Sequence, residues 1–389
     1  MGGGRGVTAA IAADIARHGP LPVERVLERA LYDRDGGFYE SGGRAGGRRG
    51  DFLTSPEVGA LFGAVLARAL DAWWVALGSP DPYVVIEAGA GPGTLARTVL
   101  AAGPACARAL RYVLVERSAA QRRLHAAAVR LEDPSLAFAP VDHDGEEPLA
   151  GSPVGPICVS LASLPRIAGP AVVVANELLD NLPFGLAEWR AGEWHEVRVD
   201  VAPAGGRLIE RLVPLGEDRA ALLARVVPGG AAADGARVPL QDAARTWLRE
   251  ALAAATPRGR VVVIDYATTT AGLASRPPGE WLRTYRGHAR GGGLLDDLGG
   301  QDVTCEVAVD QLGVVRPPDR DTPQADWLAH WGLDALVEEA RAEWQARAHV
   351  ADLEALKARS RVSEAEALTD PTGLGAFRVL EWGANVSPS

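Results

Sequence analysis

Three short stretches of this chain concentrate side chains that can bind or react. The first is Val84-Val85-Ile86-Glu87-Ala88-Gly89-Ala90-Gly91-Pro92-Gly93-Thr94-Leu95, an apolar run that delivers an acid and then three glycines at alternate positions. Glycines let the backbone turn tightly and approach a ligand with no Cβ in the way. A dinucleotide loop, GxGxxG, aims amides at a pyrophosphate. Here the spacing is ExGxGxG, and Pro92 removes one amide donor. Such a loop suits S-adenosylmethionine, which has no phosphate to cradle, and marks Glu87, Gly89, Gly91 and Gly93 as cofactor-binding. A tight strand-to-helix turn with no ligand is the plain alternative. The second stretch, Leu114-Val115-Glu116-Arg117-Ser118, puts Glu116 23 residues beyond Gly93. A carboxylate there can accept both ribose hydroxyls in this kind of fold.

The third stretch is Val174-Ala175-Asn176-Glu177-Leu178-Leu179-Asp180-Asn181-Leu182-Pro183-Phe184. A strand ends and at once delivers Asn176, Glu177 and Asp180, at the carboxyl edge where open α/β sheets bind ligands. Asn176 is assigned to the cofactor. Glu177 and Asp180 are the catalytic candidates, because carboxylates hold a guanidinium by charge-assisted hydrogen bonds and orient one nitrogen toward a methyl group. The competing account is a helix start with Asn176 as cap. Asp265 and Tyr266, at another strand end, are candidates for the acceptor side, as is His288 as a base. A strand end running into a loop and a surface histidine are their ordinary readings.

These residues need elements to hold them. Short apolar strand candidates are Tyr83–Glu87, Arg111–Glu116, Leu136–Phe138, Ala171–Ala175 and Arg260–Asp265, most of them separated by helical patterns. That alternation predicts an α/β fold with a mostly parallel, doubly wound sheet. Arg260–Asp265 lacks alternation, as a strand buried on both faces would. Two short helices are expected between Thr8 and Leu31, broken at Gly19-Pro20. Gly36 to Gly50 reads as a glycine- and arginine-rich loop. Ser55 is expected to cap a helix with Pro56 at its first position and to run on through Trp73. The chain divides on this reading into an N-terminal helical region (1–80), a first part of the core (81–187), an inserted α+β subdomain (188–258) and the remainder (259–389). The insertion follows the fourth strand, opens on an alternating stretch, Trp194–Val201, and closes on a helix over Ala243–Ala255. The remainder contains a long loop excursion (267–300) and a last strand, Ala376–Leu380.

Composition narrows the classes. With 47% hydrophobic and 23% charged residues, the chain has the makings of a packed core. A net charge of −10 argues against nucleic acid and anionic membrane as partners. Cys106, Cys158 and Cys305 stand far apart, which favours a reducing compartment, the cytoplasm, and disfavours a metal site. No apolar run reaches the length of a membrane span.

Four segments together resemble the MidA-type family of S-adenosylmethionine-dependent methyltransferases. They are Tyr32–Tyr39 with Gly50-Asp51-Phe52-Leu53-Thr54-Ser55-Pro56-Glu57, the Glu87–Leu95 loop, Asn176–Phe184, and Asp265-Tyr266 with Arg276-Pro277, Leu282-Arg283-Thr284-Tyr285 and His288. The resemblance implies a class I, Rossmann-like methyltransferase that uses S-adenosyl-L-methionine and releases S-adenosyl-L-homocysteine. It further implies methylation of a protein arginine, with Thr54 and Ser55 at the cofactor and Glu57 at the substrate. Two departures stand out. Asp265-Tyr266-Ala267 replaces the family's Asp-Tyr-Gly. In Asp302-Val303-Thr304-Cys305-Glu306-Val307-Ala308, Glu306 and Ala308 stand where the family has histidine and aspartate. A small-molecule O- or N-methyltransferase and a non-catalytic assembly factor that binds the cofactor therefore remain as alternatives. The acceptor is a protein or a small molecule, and a homodimer is among the expected states.

Overall fold

Runs such as Val261-Val262-Val263-Ile264 and Val172-Val173-Val174 are wholly buried, as strands sandwiched in a sheet must be. Each such side chain contributes roughly 1.5–3 kcal/mol by leaving water. The computed structural model of the protein describes residues 3–42, 54–138, 154–167, 169–203, 205–228, 232–255, 258–286, 289–350 and 352–383. They fall into two compact units. One comprises Leu53–Asn176, Ala251–Ile264 and Pro318–Ser389; the other comprises Met1–Phe52, Glu177–Glu250 and Asp265–Pro317.

The first unit is built on a seven-stranded sheet. Its order is Arg320–Pro323, Arg378–Gly383, Arg260–Asp265, Ala171–Asn176, Tyr83–Ala88, Leu110–Val115, Ile157–Leu161. The five strands from Arg260–Asp265 to Ile157–Leu161 pair in parallel, and Arg320–Pro323 pairs antiparallel with Arg378–Gly383, so the sheet is mixed. Tyr83–Ala88 comes first in sequence among the parallel strands but sits between Leu110–Val115 and Ala171–Asn176. Strand order reverses there, and open α/β sheets bind ligands outside the carboxyl ends of strands at such a point. The core packs the Ala60–Ala76 helix through Leu61, Phe62, Val65, Leu66 and Trp73. Trp73 meets Trp331 edge to face at 5.5 Å between centroids.

Three local expectations are corrected in this unit. Leu136–Phe138 is not a strand: Pro134–Ala137 is a helical turn whose start is capped by Asp133, accepting from Ser135 N at 2.9 Å. The edge strand is Ile157–Leu161 instead. The helix after Thr54 is broken: Ser55–Val58 stops at Gly59, and Ala60–Ala76 starts afresh. Its N-cap is Thr54 rather than Ser55, because Thr54 and Glu57 form a reciprocal capping box. The final strand is Arg378–Gly383, preceded by a short 3-10 turn at Leu374–Ala376.

The second unit carries a five-stranded antiparallel sheet. Leu21–Pro22, Glu193–Val201, Gly185–Arg190 and Arg237–Leu240 follow one another, with Leu208–Pro214 also on Glu193–Val201. The helices Gly3–His18 and Val23–Tyr32 belong to this unit, as does Asp242–Ala255 up to Glu250. A two-residue hairpin at Ala191-Gly192 has positive φ at both positions, 53° and 90°, the twist that such turns require. The expected loop excursion is ordered into the helices Thr270–Ala274 and Pro278–Trp281 and a three-stranded sheet. That sheet places Leu282–Arg286 between Ala289–Arg290 and Asp302–Cys305. Among the described residues no helix is long and apolar enough to cross a membrane. No group of three or more metal-ligating side chains is found among them either.

Candidate active site

In the first unit the loop after Tyr83–Ala88 turns through three glycines with φ of 71°, 52° and 85° at Gly89, Gly91 and Gly93. These are left-handed values that side chains avoid. The loop's amides are spent internally. Gly89 N and Ala90 N donate to Val115 O at 2.9 and 3.0 Å, and Gly93 N donates to Ala90 O at 2.8 Å. Gly91 N donates to Glu116 Oε2 at 3.0 Å. Pro92 has no N–H, so from Gly89 to Gly93 no amide is left to cradle a pyrophosphate. This is the physical reason to prefer a cofactor without phosphates.

Glu116 is half-buried; besides Gly91 N it accepts from Ser118 N at 2.7 Å through Oε1. Two backbone amides thus fix the carboxylate in orientation, and a fixed carboxylate suits a pair of ribose hydroxyls. Glu87 faces inward. Its carboxyl accepts from the Tyr112 hydroxyl at 2.8 Å and from Ala96 N, and burial pushes its pKa up to about 8. Glu87 thus ties the first strand, the neighbouring strand and the helix after the loop together. His125, fully buried, bridges the Gly91 carbonyl and the Ser160 hydroxyl.

Other cofactor candidates in this unit have structural partners. Ser55 is buried and donates to Gln324 Oε1 at 3.0 Å. Thr54 and Glu57 make the capping box, with Thr54 N to Glu57 Oε2 at 3.4 Å. Asn176 is the half-buried last residue of its strand.

The second unit gathers the acids. Asp180 is completely buried; its Oδ2 accepts from the Tyr266 hydroxyl at 2.9 Å, and its Oδ1 meets no hydrogen-bond donor among the described residues. Asp265, 1% exposed, accepts Leu179 N at 3.1 Å and Asp180 N at 3.3 Å through Oδ2, and Tyr266 N at 3.0 Å through Oδ1. Asp265 therefore shapes the turn that presents Asp180. Burial pushes both carboxyls up; the charge of Asp302 adds to it at Asp180, and the charges of Asp180 and Glu177 add to it at Asp265. Glu177 is half-buried and holds φ at 51°, an unusual backbone state for a residue with a side chain. Backbone strain of that kind gathers at functional sites.

Sequence reading did not single out Tyr39, Tyr112, His125, Asn181 and Asp302. Asp302 Oδ1 takes the Tyr39 hydroxyl at 3.0 Å, Asn181 Nδ2 at 3.2 Å and Val303 N at 2.9 Å. Tyr39 and Asn181 lie far from Asp302 in sequence, so no local spacing reveals that they meet it. Glu306 is gripped by Arg276 through both terminal nitrogens, one of them at 3.2 Å, with Arg283 at 3.9 Å. Arg283 in turn lies over the Tyr266 ring, 5.6 Å from its centroid. His288 and the 43–53 segment lie outside the described residues.

Comparison with known proteins bears on both sets of residues. Residues 65–316 match a family described as "Putative S-adenosyl-L-methionine-dependent methyltransferase". The protein arginine methyltransferase NDUFAF7 homolog of Drosophila melanogaster is 31% identical over 202 residues, 50% of this chain and 44% of that protein. The mouse protein arginine methyltransferase NDUFAF7 is 28% identical over 48% of this chain and 43% of its own length. The chain thus spans less than half the length of the curated relatives it matches. A crystal structure from Burkholderia thailandensis, bound to S-adenosyl-homocysteine, superimposes with a TM-score of 0.77 at 27% identity, covering 99% of this chain and 93% of that one. By a family match that spans most of its length, the chain belongs to these S-adenosyl-L-methionine-dependent methyltransferases.

Proposed function

We propose that the protein transfers a methyl group from S-adenosyl-L-methionine to an arginine of a protein substrate. The observation that carries the acceptor is Asp180: a buried carboxyl group with Oδ2 held by Tyr266 and Oδ1 meeting no hydrogen-bond donor among the described residues. A guanidinium is the side chain best suited to it, since its planar fork donates several hydrogen bonds and neutralises the charge that burial penalises. The relatives from fly and mouse, both described as protein arginine methyltransferases, support that reading. We read the fold as the class I, Rossmann-like form, with the inserted segment serving the acceptor.

The residues of the glycine loop fit the cofactor. Glu116 would accept the ribose hydroxyls, and Gly89, Gly91 and Gly93 keep Cβ atoms out of the loop. Bound there, S-adenosyl-L-methionine supplies an activated methyl group. Glu177 and Asp180 would orient the guanidinium, whose arriving charge lowers the Asp180 pKa that burial raises. Asp180 Oδ1 is then the atom that takes the proton released by the attacking nitrogen. Asp265 and Tyr266 hold Asp180 in place. The three buried free thiols, Cys106, Cys158 and Cys305, support a reducing compartment such as the cytoplasm.

The test is incubation of the purified protein with methyl-labelled S-adenosylmethionine and host lysate. Label in a protein band, traced to arginine by hydrolysis and lost in Glu177→Gln, is the expected result. Label confined to small molecules overturns the acceptor assignment.

A further inference from the structure

One buried side chain that holds the glycine loop is marked by no motif. His125 is 0% exposed; its Nε2 lies 2.9 Å from the Gly91 carbonyl and its Nδ1 2.8 Å from the Ser160 hydroxyl. A carbonyl can only accept, so Nε2 carries a hydrogen, whereas the Ser160 hydroxyl at Nδ1 can donate or accept. In the neutral ring the hydrogen is therefore on Nε2 and Ser160 donates to Nδ1. Burial and the charge of Arg122 both lower its pKa, in agreement with that assignment.

Gly91 is the residue that His125 grips. Its N–H goes to Glu116 and its C=O to His125, while its Cα side is open: a Cβ there would meet nothing within 4 Å. At φ 52° the two peptides that meet at Gly91 are held in a conformation that glycine leaves as readily as it enters. We propose that His125 is a positioning residue for cofactor binding: it fixes the peptide on the carbonyl side of Gly91 and, across the Gly91 Cα, steadies the N–H that holds the Glu116 carboxylate. Without it the Gly91–Pro92 peptide loses the hydrogen bond to its carbonyl, and the freedom this gives the torsions about the Gly91 Cα loosens the adjoining Ala90–Gly91 peptide, whose N–H reaches Glu116. The effect reaches the ribose site through one hydrogen bond, although His125 itself touches no cofactor atom. The inference rests on the reading that this loop holds S-adenosylmethionine.

A space-filling role is the rival account, since His125 Cδ2 also lies 3.6 Å from where a Gly93 Cβ would be. Calorimetric titration of S-adenosylhomocysteine into the wild type, His125→Leu, His125→Gln and Ser160→Ala separates the two, with Tm measured on each ligand-free protein. His125→Leu fills similar space without a donor, and affinity is expected to fall by about tenfold, the size of one buried hydrogen bond. His125→Gln keeps an N–H for Gly91 and is expected to recover to within about threefold, whatever its Tm, as one hydrogen bond restored implies. Ser160→Ala, which keeps the ring and loses only its orientation, is expected to fall between them. Equal loss in Leu and Gln that follows Tm, or wild-type affinity in Leu, overturns the inference. Failure of the wild type to bind overturns the cofactor reading itself, and is distinguished by that.

Discussion

A carboxylate that accepts two backbone amides, as Glu116 does from Gly91 and Ser118, is fixed in position before any ligand arrives. A charge-assisted bond of this sort is worth roughly 1.5–3 kcal/mol, so Glu116→Ala is expected to weaken S-adenosylhomocysteine about 10- to 100-fold. Calorimetry reads this directly, and an unchanged Kd would remove Glu116 from the site. Glu87 is the contrasting acid. Its folded pKa, about 8, lies above the ordinary value of 4.5, so the folded protein holds a proton that the unfolded chain releases. The stability this confers is complete below about 4.5 and is lost as pH rises through about 8. Glu87→Gln keeps an acceptor for Tyr112 and cannot ionise. Between pH 5 and pH 8.5 the Tm of the wild type is expected to fall more steeply than that of Glu87→Gln, and parallel curves would refute the buried proton.

Among elements, the turn into the helix Thr94–Ala101 depends on Gly93 at φ 85°. A Cβ there would stand 3.1 Å from Ala128 Cβ and 3.2 Å from Leu114 Cδ2. Gly93→Ala is expected to cost about 1–2 kcal/mol from the left-handed backbone alone, with more from crowding. Chemical denaturation measures it, and a cost near zero would mean that the loop relaxes freely. Gly59 does a different job. Its missing Cβ makes room for Glu364, whose carboxyl accepts Leu61 N at 2.9 Å and the Ser360 hydroxyl at 3.0 Å. A Cβ on Gly59 would fall 2.0 Å from Glu364 Cδ. Glu364 therefore caps the Ala60–Ala76 helix from a distant part of the chain. Gly59→Ala and Glu364→Ala are each expected to cost about 1–2 kcal/mol, the usual value of a cap. Because both remove the same interaction, the double variant should cost little more than one of them. Additive losses would show that Gly59 and Glu364 act separately.

At the scale of the molecule, each unit has its own apolar core, one around Trp73, Trp327 and Tyr83, the other around Ile11, Leu27 and Trp281. Ligand held by the glycine loop stabilises the unit that contains it, by about 2.7 kcal/mol at a hundred times Kd. Hydrogen exchange with S-adenosylhomocysteine is expected to slow over Gly89–Leu95 and Glu116–His125. No slowing there would contradict the assignment of the loop. The sequence by itself determined four of the five parallel strands, the loop and the order of the acids, because side-chain periodicity and glycine chemistry act over a few neighbouring residues. Leu136–Phe138 misled for the same reason: three apolar residues look alike in a strand or a turn, and Asp133-Pro134 settles it through a cap. Only the tertiary structure decided that Glu87 faces a tyrosine and that His125 holds Gly91. It also decided that Glu306 is spent on Arg276. These are pairings between distant segments, chosen by which side chains the packed core leaves with unsatisfied polar atoms, and no local spacing carries that information.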